Sequence, residues 1–246
     1  MVTKVVPGLL IATQDAQQAA REACGRMTKA IHDGIRDRGV ATIALSGGGS
    51  PLDAYRLLAQ ETIDWNKVHV YWVDERAVPP EHERSNYGQA KKALLDPAKV
   101  PAANVHRMRG EATDLEIAAA DYEAELRDTV KNKLGGLPCF DLLVMGIGDD
   151  GHTASLFPGD RTMYVTDKLV ASVPSKADRE ARLTMTTPLL EAAKSSVVIV
   201  LGKAKHAPLE RIWAVHGELD ETPGRVIRNF RGSICWVIDR AAGGMG

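Results

Sequence analysis

The sequence predicts a three-layer α/β/α fold around a mainly parallel, Rossmann-like sheet. Short apolar runs rich in β-branched residues alternate along the chain with segments of helical periodicity. These runs are apolar almost throughout, as expected for strands covered by helices on both faces. The 246 residues, 44% of them hydrophobic, suffice for one large core, and we expect a single domain over residues 1–246.

Each predicted element rests on its own pattern. The first helix shows alanine and other apolar residues at three- and four-residue steps, and later helices open with proline in the first turn, as at Pro51 and Pro188. We predict strands at residues 40–45, 68–73, 140–147, 169–173, 196–201 and 233–238. We predict helices at residues 15–38, 51–60, 86–95, 113–131, 187–193 and 203–215, with another short one opening at 222–223. The segment before residue 40 therefore reads largely as one helix.

Charge and cysteine content exclude several classes of protein. The 31 basic and 32 acidic residues leave a net charge of -1, which does not favour binding to nucleic acid or to a membrane. The three cysteines are far apart, so neither a zinc site nor a disulfide framework is indicated. The start of the chain does not have the pattern of a signal peptide, and we expect a cytoplasmic protein without metal or cofactor.

Chemically distinctive residues follow four of the predicted strands. They lie in Ser46–Pro51, Asp74–Arg76, Gly148–Thr153 and Gly202–Lys203. In an open parallel sheet the loops at the carboxyl ends of the strands converge on one edge, where ligands bind. The sequence therefore predicts a single site that combines glycine, charge and histidine.

The loop SGGGSP has features of an anion site. Three glycines between a strand and a helix leave backbone N–H groups open to a close approach, and we expect Gly47 and Gly48 to bind phosphate. A tight turn without a ligand is the alternative. Arg76 has a planar donor fork that suits phosphate, although an internal ion pair with Asp74 or Glu75 is the competing interpretation.

His152 is the histidine best placed for acid–base catalysis. Asp150 lies two residues earlier, and in an extended segment residues at this spacing face the same side about 6–7 Å apart. An aspartate there orients an imidazole, which titrates near neutral pH and can both take and return a proton. The serines of the strand-to-helix loop SGGGSP are not in a nucleophile elbow, so water is the expected nucleophile.

Five segments resemble, in order and spacing, the motifs of the 6-phosphogluconolactonases. They are ALSGGGSP, VDERAVPPEHERSNYG, FDLLVMGIGDDGHTASLFPG, ARLTMTTPLL and VVIVLGKAKH. The resemblance spans residues 40–206 and is most specific in the block containing His152. It implies a fold like those of glucosamine-6-phosphate deaminases and ribose-5-phosphate isomerases. It also implies hydrolysis of 6-phospho-D-glucono-1,5-lactone to 6-phospho-D-gluconate, the second step of the oxidative pentose phosphate pathway.

The resemblance also implies further roles for individual residues. Arg182, in Arg-Leu-Thr, is favoured over Arg179 as a phosphate ligand, and Lys203 is expected to join it. Ser46 and Asn86 are expected to support the pocket, and simple turn and cap roles for them remain equally open. Asp149 departs from the family pattern, in which proline is frequent.

Two other functions remain as alternatives. Glucosamine-6-phosphate deaminases continue from the histidine into Ala-Phe-Asn-Glu-Pro and carry tyrosine after Asp-Glu, whereas this chain has Thr153-Ala154-Ser155 and Arg76. A non-catalytic sugar-phosphate sensor is the second alternative, although nothing before residue 40 resembles a DNA-binding helix-turn-helix. The expected partner is a small sugar phosphate, and the expected assembly is a monomer or a weak homodimer.

Overall fold

Six parallel strands form the centre of the fold, in the order β1-β11-β10-β7-β2-β3. The structure, a computed structural model, describes residues 3–245. The strands are β1 Leu9–Thr13, β2 Ala41–Leu45, β3 Val68–Trp72, β4 Asp74–Arg76, β5 Lys133–Leu134, β6 Leu137–Pro138, β7 Leu142–Gly146, β8 Val170–Val173, β9 Arg182–Met185, β10 Ser195–Val200 and β11 Ser233–Asp239. The α-helices are α1 Ala16–Arg38, α2 Gly49–Leu58, α3 Asn86–Ala90, α4 Leu115–Thr129, α5 Thr187–Glu191 and α6 His206–Trp213.

Helices cover both faces of this sheet, so the predicted three-layer architecture is confirmed. Alternate side chains of β2 illustrate the division, because Ile43 and Leu45 pack into the core beneath α1 and α2. Ala44 faces the other core, which includes buried residues of α4, α5 and α6. Asp15 caps α1 by accepting a hydrogen bond from the Gln18 N–H, so this helix begins where the sequence predicts.

Two small sheets supplement the central one. Strands β4, β9 and β8 form an antiparallel sheet that continues directly from the end of β3. Its register places Asp74 opposite Thr184 and Arg76 opposite Arg182. The third sheet is the short hairpin of β5 and β6. Within residues 3–245, no helix is both long enough and apolar enough to cross a bilayer.

The observed elements differ from the sequence prediction in several places. The segment before residue 40 contains β1, an edge strand that pairs with β11, in addition to the predicted helix. The predicted strand at 169–173 is present, but it belongs to the antiparallel sheet. The predicted helix at 86–95 is split, because α3 is followed by a π-helical turn, Lys91–Leu95. The neighbouring strand β9 was not predicted.

Candidate active site

One cavity of about 180 Å³ opens at the carboxyl ends of β2, β3 and β7. This is the edge that the sequence predicts for the site. The predicted residues that line the cavity are Ser46, Gly47, Gly48, Arg76, Asn86 and His152, and the additional ones include Asp74, Gly148, Ala154 and Lys205. Three of the four predicted loops therefore meet at this cavity. The fourth, Gly202–Lys203, does not line it, but the nearby Lys205 does.

The glycine loop brings backbone close to the cavity, and two of its positions favour glycine. A Cβ atom on Gly47 would lie 1.7 Å from the Asn86 side-chain oxygen. Gly48 has a φ of +91°, which favours glycine. Helix α2 begins at Gly49 without a side-chain cap, so its first N–H groups remain available to an anion.

Two buried acidic residues, Asp74 and Glu75, position Asn86 through hydrogen bonds. Its amide nitrogen donates to the Asp74 backbone oxygen at 2.9 Å and to the Asp74 carboxylate at 3.2 Å. Its backbone N–H donates to the Glu75 carboxylate at 2.7 Å. The Asn86 side-chain oxygen is buried and has no hydrogen-bond partner within residues 3–245. The Asn86 side chain therefore forms part of the cavity wall. Its role is more than the turn or cap role that the sequence left open.

Glu75 fixes the start of α3 to β4. Its carboxylate accepts hydrogen bonds from the N–H groups of Arg76, Asn86 and Tyr87 and from the Ser85 hydroxyl, at 2.7 to 3.0 Å. Burial raises the pKa of Glu75, and these hydrogen bonds oppose the shift. The carboxylate thus connects the strand that carries Arg76 to the helix that carries Asn86.

His152 is held by Asp150 in the predicted partnership. The Nδ1 atom of His152 lies 2.6 Å from a carboxylate oxygen of Asp150, and the His152 backbone N–H donates to the same oxygen at 3.0 Å. The contact forms through a tight turn in which Gly151 has a φ of +94°, and not through the extended segment predicted. With Nδ1 engaged, Nε2 is the ring nitrogen left for a substrate or a water.

Gly148 makes room for this pair. A Cβ atom there would lie 2.1 Å from His152 Nδ1 and 2.7 Å from Asp150 Oδ1. The Gly148 N–H also donates to the His152 carbonyl at 2.8 Å, which closes the loop upon itself. A larger residue at this position would displace the imidazole, so the glycine is required by close approach.

Asp150 is ionised at every pH at which the protein would work. Burial disfavours its charged form, but the hydrogen bonds and charge of His152 outweigh burial and lower the pKa of Asp150 to about 2. A carboxyl whose pKa falls on folding stabilises the fold above its unfolded pKa of 3.8. That contribution is lost as the pH falls through about 2.

Two of the three candidate arginines lie together beside the cavity. Arg76 lines it, and Arg182 is its direct partner across the β4–β9 ladder. Burial lowers the pKa of Arg182, and the positive charge of Arg76 adds to this shift. Arg179 is engaged elsewhere, because it donates to Asp160 at 2.7 Å and stacks 3.6 Å from the centre of the Phe157 ring. Arg182 is itself paired with Glu180 at 3.1 Å, so its place opposite Arg76 is the observation that supports it as the phosphate ligand.

The structure places Lys205, and not Lys203, on the cavity wall. Gly202, with a φ of +93°, opens a short 3-10 turn over Lys203–Lys205. This turn leaves Lys203 exposed and directs Lys205 inward, where its side chain is 20% exposed and pairs with Asp149. The sequence expectation for Lys203 therefore differs from the geometry by two residues, because a predicted helix at 203–215 does not specify the turn.

Sequence reasoning also missed Asp74, Ala154 and Ser155. Asp74 is buried, lines the cavity and accepts a hydrogen bond from the Ser155 hydroxyl at 2.7 Å. The charged run after β3 signalled Asp74, whereas nothing in the sequence signals the contribution of Ala154. In the part of the chain that the structure describes, no three His, Cys, Asp or Glu side chains cluster as metal ligands would.

The fold and the cavity together define an α/β protein in which a histidine–aspartate pair and a glycine loop meet at one cavity. The profile of the family described as glucosamine-6-phosphate isomerases/6-phosphogluconolactonase matches residues 14–236. The chain belongs to this family.

Similar proteins carry two different names within the family. A 6-phosphogluconolactonase of Synechocystis is 43% identical over 218 residues, which cover 89% of this chain and 88% of that protein. The structure of 6-phosphogluconolactonase from Trypanosoma cruzi has a TM-score of 0.85 at 25% identity, over 99% of this chain and 98% of that one. A monomeric glucosamine-6-phosphate deaminase has a TM-score of 0.79 at 21% identity, over 97% and 100% of the chains, and shows the shared fold alone.

Proposed function

We propose that this chain hydrolyses 6-phospho-D-glucono-1,5-lactone to 6-phospho-D-gluconate. The observation that carries the proposal is the imidazole of His152, fixed through Nδ1 by Asp150 in the cavity that also contains the glycine loop and Arg76. Relatives of 32–43% identity bear the name 6-phosphogluconolactonase, which supports the same assignment.

The phosphate binds at the cationic side of the cavity in this proposal. The Gly47 and Gly48 N–H groups, Arg76 and Lys205 supply donors, and Arg182 adds positive charge from beside Arg76. Lys203 remains a weaker candidate because it lies outside the cavity wall. This remote anchor orients the lactone carbonyl toward the imidazole and so converts binding energy into a lower barrier.

The chemical steps use water and one histidine. His152 Nε2 takes a proton from water as the water oxygen bonds to the lactone carbonyl carbon, and the carbonyl electron pair moves onto its oxygen. When the intermediate collapses, the bond from the carbonyl carbon to the ring oxygen breaks, and His152 gives its proton to that oxygen. Asp150 keeps the imidazole oriented and stabilises its charged form. The product carboxylic acid then ionises and releases one proton to solvent.

Proton release on adding freshly made lactone, corrected for spontaneous hydrolysis, tests this function. We expect the wild-type protein to accelerate proton release and His152→Ala to lower kcat about 10²- to 10⁴-fold. His216→Ala is the matched control, because His216 is exposed and lies outside the cavity lining.

A parallel assay of ammonia release from glucosamine 6-phosphate tests the deaminase alternative. Ammonia release without lactone hydrolysis would replace the proposed function by that of a deaminase. Binding of the sugar phosphate without either turnover would indicate a sensor. Near-normal turnover by His152→Ala would refute the role of the imidazole.

The proposal also covers the cellular location and the assembly of the protein. We place it in the cytoplasm, which is consistent with the free thiols of Cys24, Cys139 and Cys235. We also propose a monomer or a weak homodimer as the assembly.

A further inference from the structure

The turn that follows His152 holds an alanine in a conformation that disfavours alanine. Ala154 has a φ of +49°, and Lys99 is the other non-glycine residue with positive φ within residues 3–245. The left-handed region costs an ordinary L-residue about 1–2 kcal/mol, so it persists only where the surrounding structure imposes it. Ala154 also lines the cavity, two residues after the imidazole.

Hydrogen bonds on both sides impose this conformation. The Leu156 N–H donates to the Thr153 carbonyl at 3.0 Å and closes the turn. The Ser155 N–H donates to the Thr184 hydroxyl at 3.2 Å, and the Ser155 hydroxyl donates to Asp74 at 2.7 Å. All of these side chains are buried, so the turn is fastened to the small antiparallel sheet.

The direction of one N–H group follows from this closure. A peptide group is planar and trans, so the Ala154 N–H points opposite to the Thr153 carbonyl. That carbonyl points across the turn to Leu156, which is fully buried. The Ala154 N–H therefore points away from the core side of the turn, and it makes no hydrogen bond to another group of residues 3–245.

We propose that the Ala154 backbone N–H donates a hydrogen bond to the oxyanion of the tetrahedral intermediate. This inference rests on the proposed lactone hydrolysis, and it supplies the donor that the chemistry requires beside His152. The N–H forms no covalent bond and loses no proton. It stabilises the negative charge on the former carbonyl oxygen until the bond to the ring oxygen breaks. The cost of the left-handed turn is then explained by the direction it gives to this donor.

Replacing alanine 154 by lactic acid, through chemical synthesis and ligation, tests the proposal directly. The change substitutes an ester oxygen for the N–H and retains the methyl group and the chirality. We expect kcat to fall about 10²- to 10³-fold, as for loss of one oxyanion donor, and KM to stay within about twofold. The same replacement of Ala103, exposed in the 3-10 turn Ala102–Asn104, is the matched control and leaves both constants unchanged.

The wild-type rate, measured alongside, separates this proposal from the proposed function. If the wild type does not open the lactone, the function itself fails. If the wild type is active and the Ala154 ester keeps a normal kcat, or changes KM alone, the oxyanion assignment is wrong.

If the protein with the ester at position 154 does not fold, Ser155→Ala provides a second test of the proposal. Loss of the hydroxyl that donates to Asp74 loosens the turn, and misplacement of a donor lowers kcat by about tenfold or more while KM stays nearly constant. Thermal unfolding of this variant establishes that it is folded. An unchanged kcat in folded Ser155→Ala would overturn the proposal.

Discussion

At the scale of single residues, the turn after β10 decides which lysine faces the cavity. Lys205 lines the cavity and Lys203 is exposed, although both follow the same strand. We expect Lys205→Ala to raise KM for the lactone about 10- to 100-fold, because a charge-assisted hydrogen bond to phosphate is lost. Steady-state kinetics with phosphorylated lactone measures this change.

Lys203→Ala is the matched control for that prediction. It removes the same charge from the same 3-10 turn, so general electrostatic attraction changes equally in both variants. Its KM should change by less than about twofold, since exposed charges contribute little. A larger effect at Lys203 than at Lys205 would restore the assignment made from sequence.

The contact between Asp150 and His152 could be predicted from sequence because it is local. Asp150 and His152 are two residues apart, so the sequence predicts their contact, although they meet through a tight turn and not through the extended segment predicted. Ala154 shows the limit of such reasoning. Its positive φ is imposed by Thr184 and Asp74, which are distant in sequence, and alanine itself carries no preference for that conformation.

At the scale of elements, Glu75 connects β4 to α3 and thereby aligns Arg76 with Asn86. We expect Glu75→Gln to lower the free energy of unfolding by about 2–3 kcal/mol, because a glutamine cannot accept all four hydrogen bonds and presents N–H groups to buried donors. KM for the lactone should rise with it, since both cavity residues lose their support. Urea unfolding and steady-state kinetics measure the two effects.

Glu81→Gln is the control within the same connecting segment. Glu81 is exposed, so its substitution should change stability by less than about 0.5 kcal/mol. If both glutamine variants were equally stable, the carboxylate of Glu75 would not hold β4 and α3 together.

The small antiparallel sheet explains which elements the sequence did not reveal. Strands β4 and β9 have three and four residues, too few for a periodic pattern, and they pair across a long stretch of chain. Their stability comes from tertiary contacts, which intrinsic propensity does not register. The long runs of β2, β7 and β10 are apolar on both faces and were therefore recognised without structural information.

At the scale of the whole molecule, the two edges of the central sheet have separate tasks. The carboxyl edge carries the cavity, whereas the amino edge carries an ion pair between the buried Asp141 and the partly exposed Arg38, the last residue of α1. Asp141 also accepts a hydrogen bond from the Thr42 N–H at 3.0 Å. Because β1 pairs with β11, the first and the last strand belong to the same sheet, which supports the proposal of one domain.

This separation predicts that stability and catalysis respond to different substitutions. Asp141→Asn should lower the free energy of unfolding by about 2–3 kcal/mol, because Arg38 loses its buried partner. The kcat and KM for the lactone should stay at wild-type values at a temperature where the variant is folded. Urea unfolding and the proton-release assay measure the two quantities.

Asp128→Asn is the control at the same edge. Its side chain is 83% exposed, so neither stability nor activity should change measurably. A fall in kcat of folded Asp141→Asn would show that the amino edge influences the site.

The register of β4 and β9 places two positive charges side by side when no ligand is bound. Arg76 and Arg182 face each other as direct cross-strand partners, an arrangement in which two cations repel. A dianion bound beside them would turn that repulsion into attraction on both strands at once. Substrate entry would then tighten the small sheet, and through Thr184 and Asp74 the same tightening would reach the turn that follows His152.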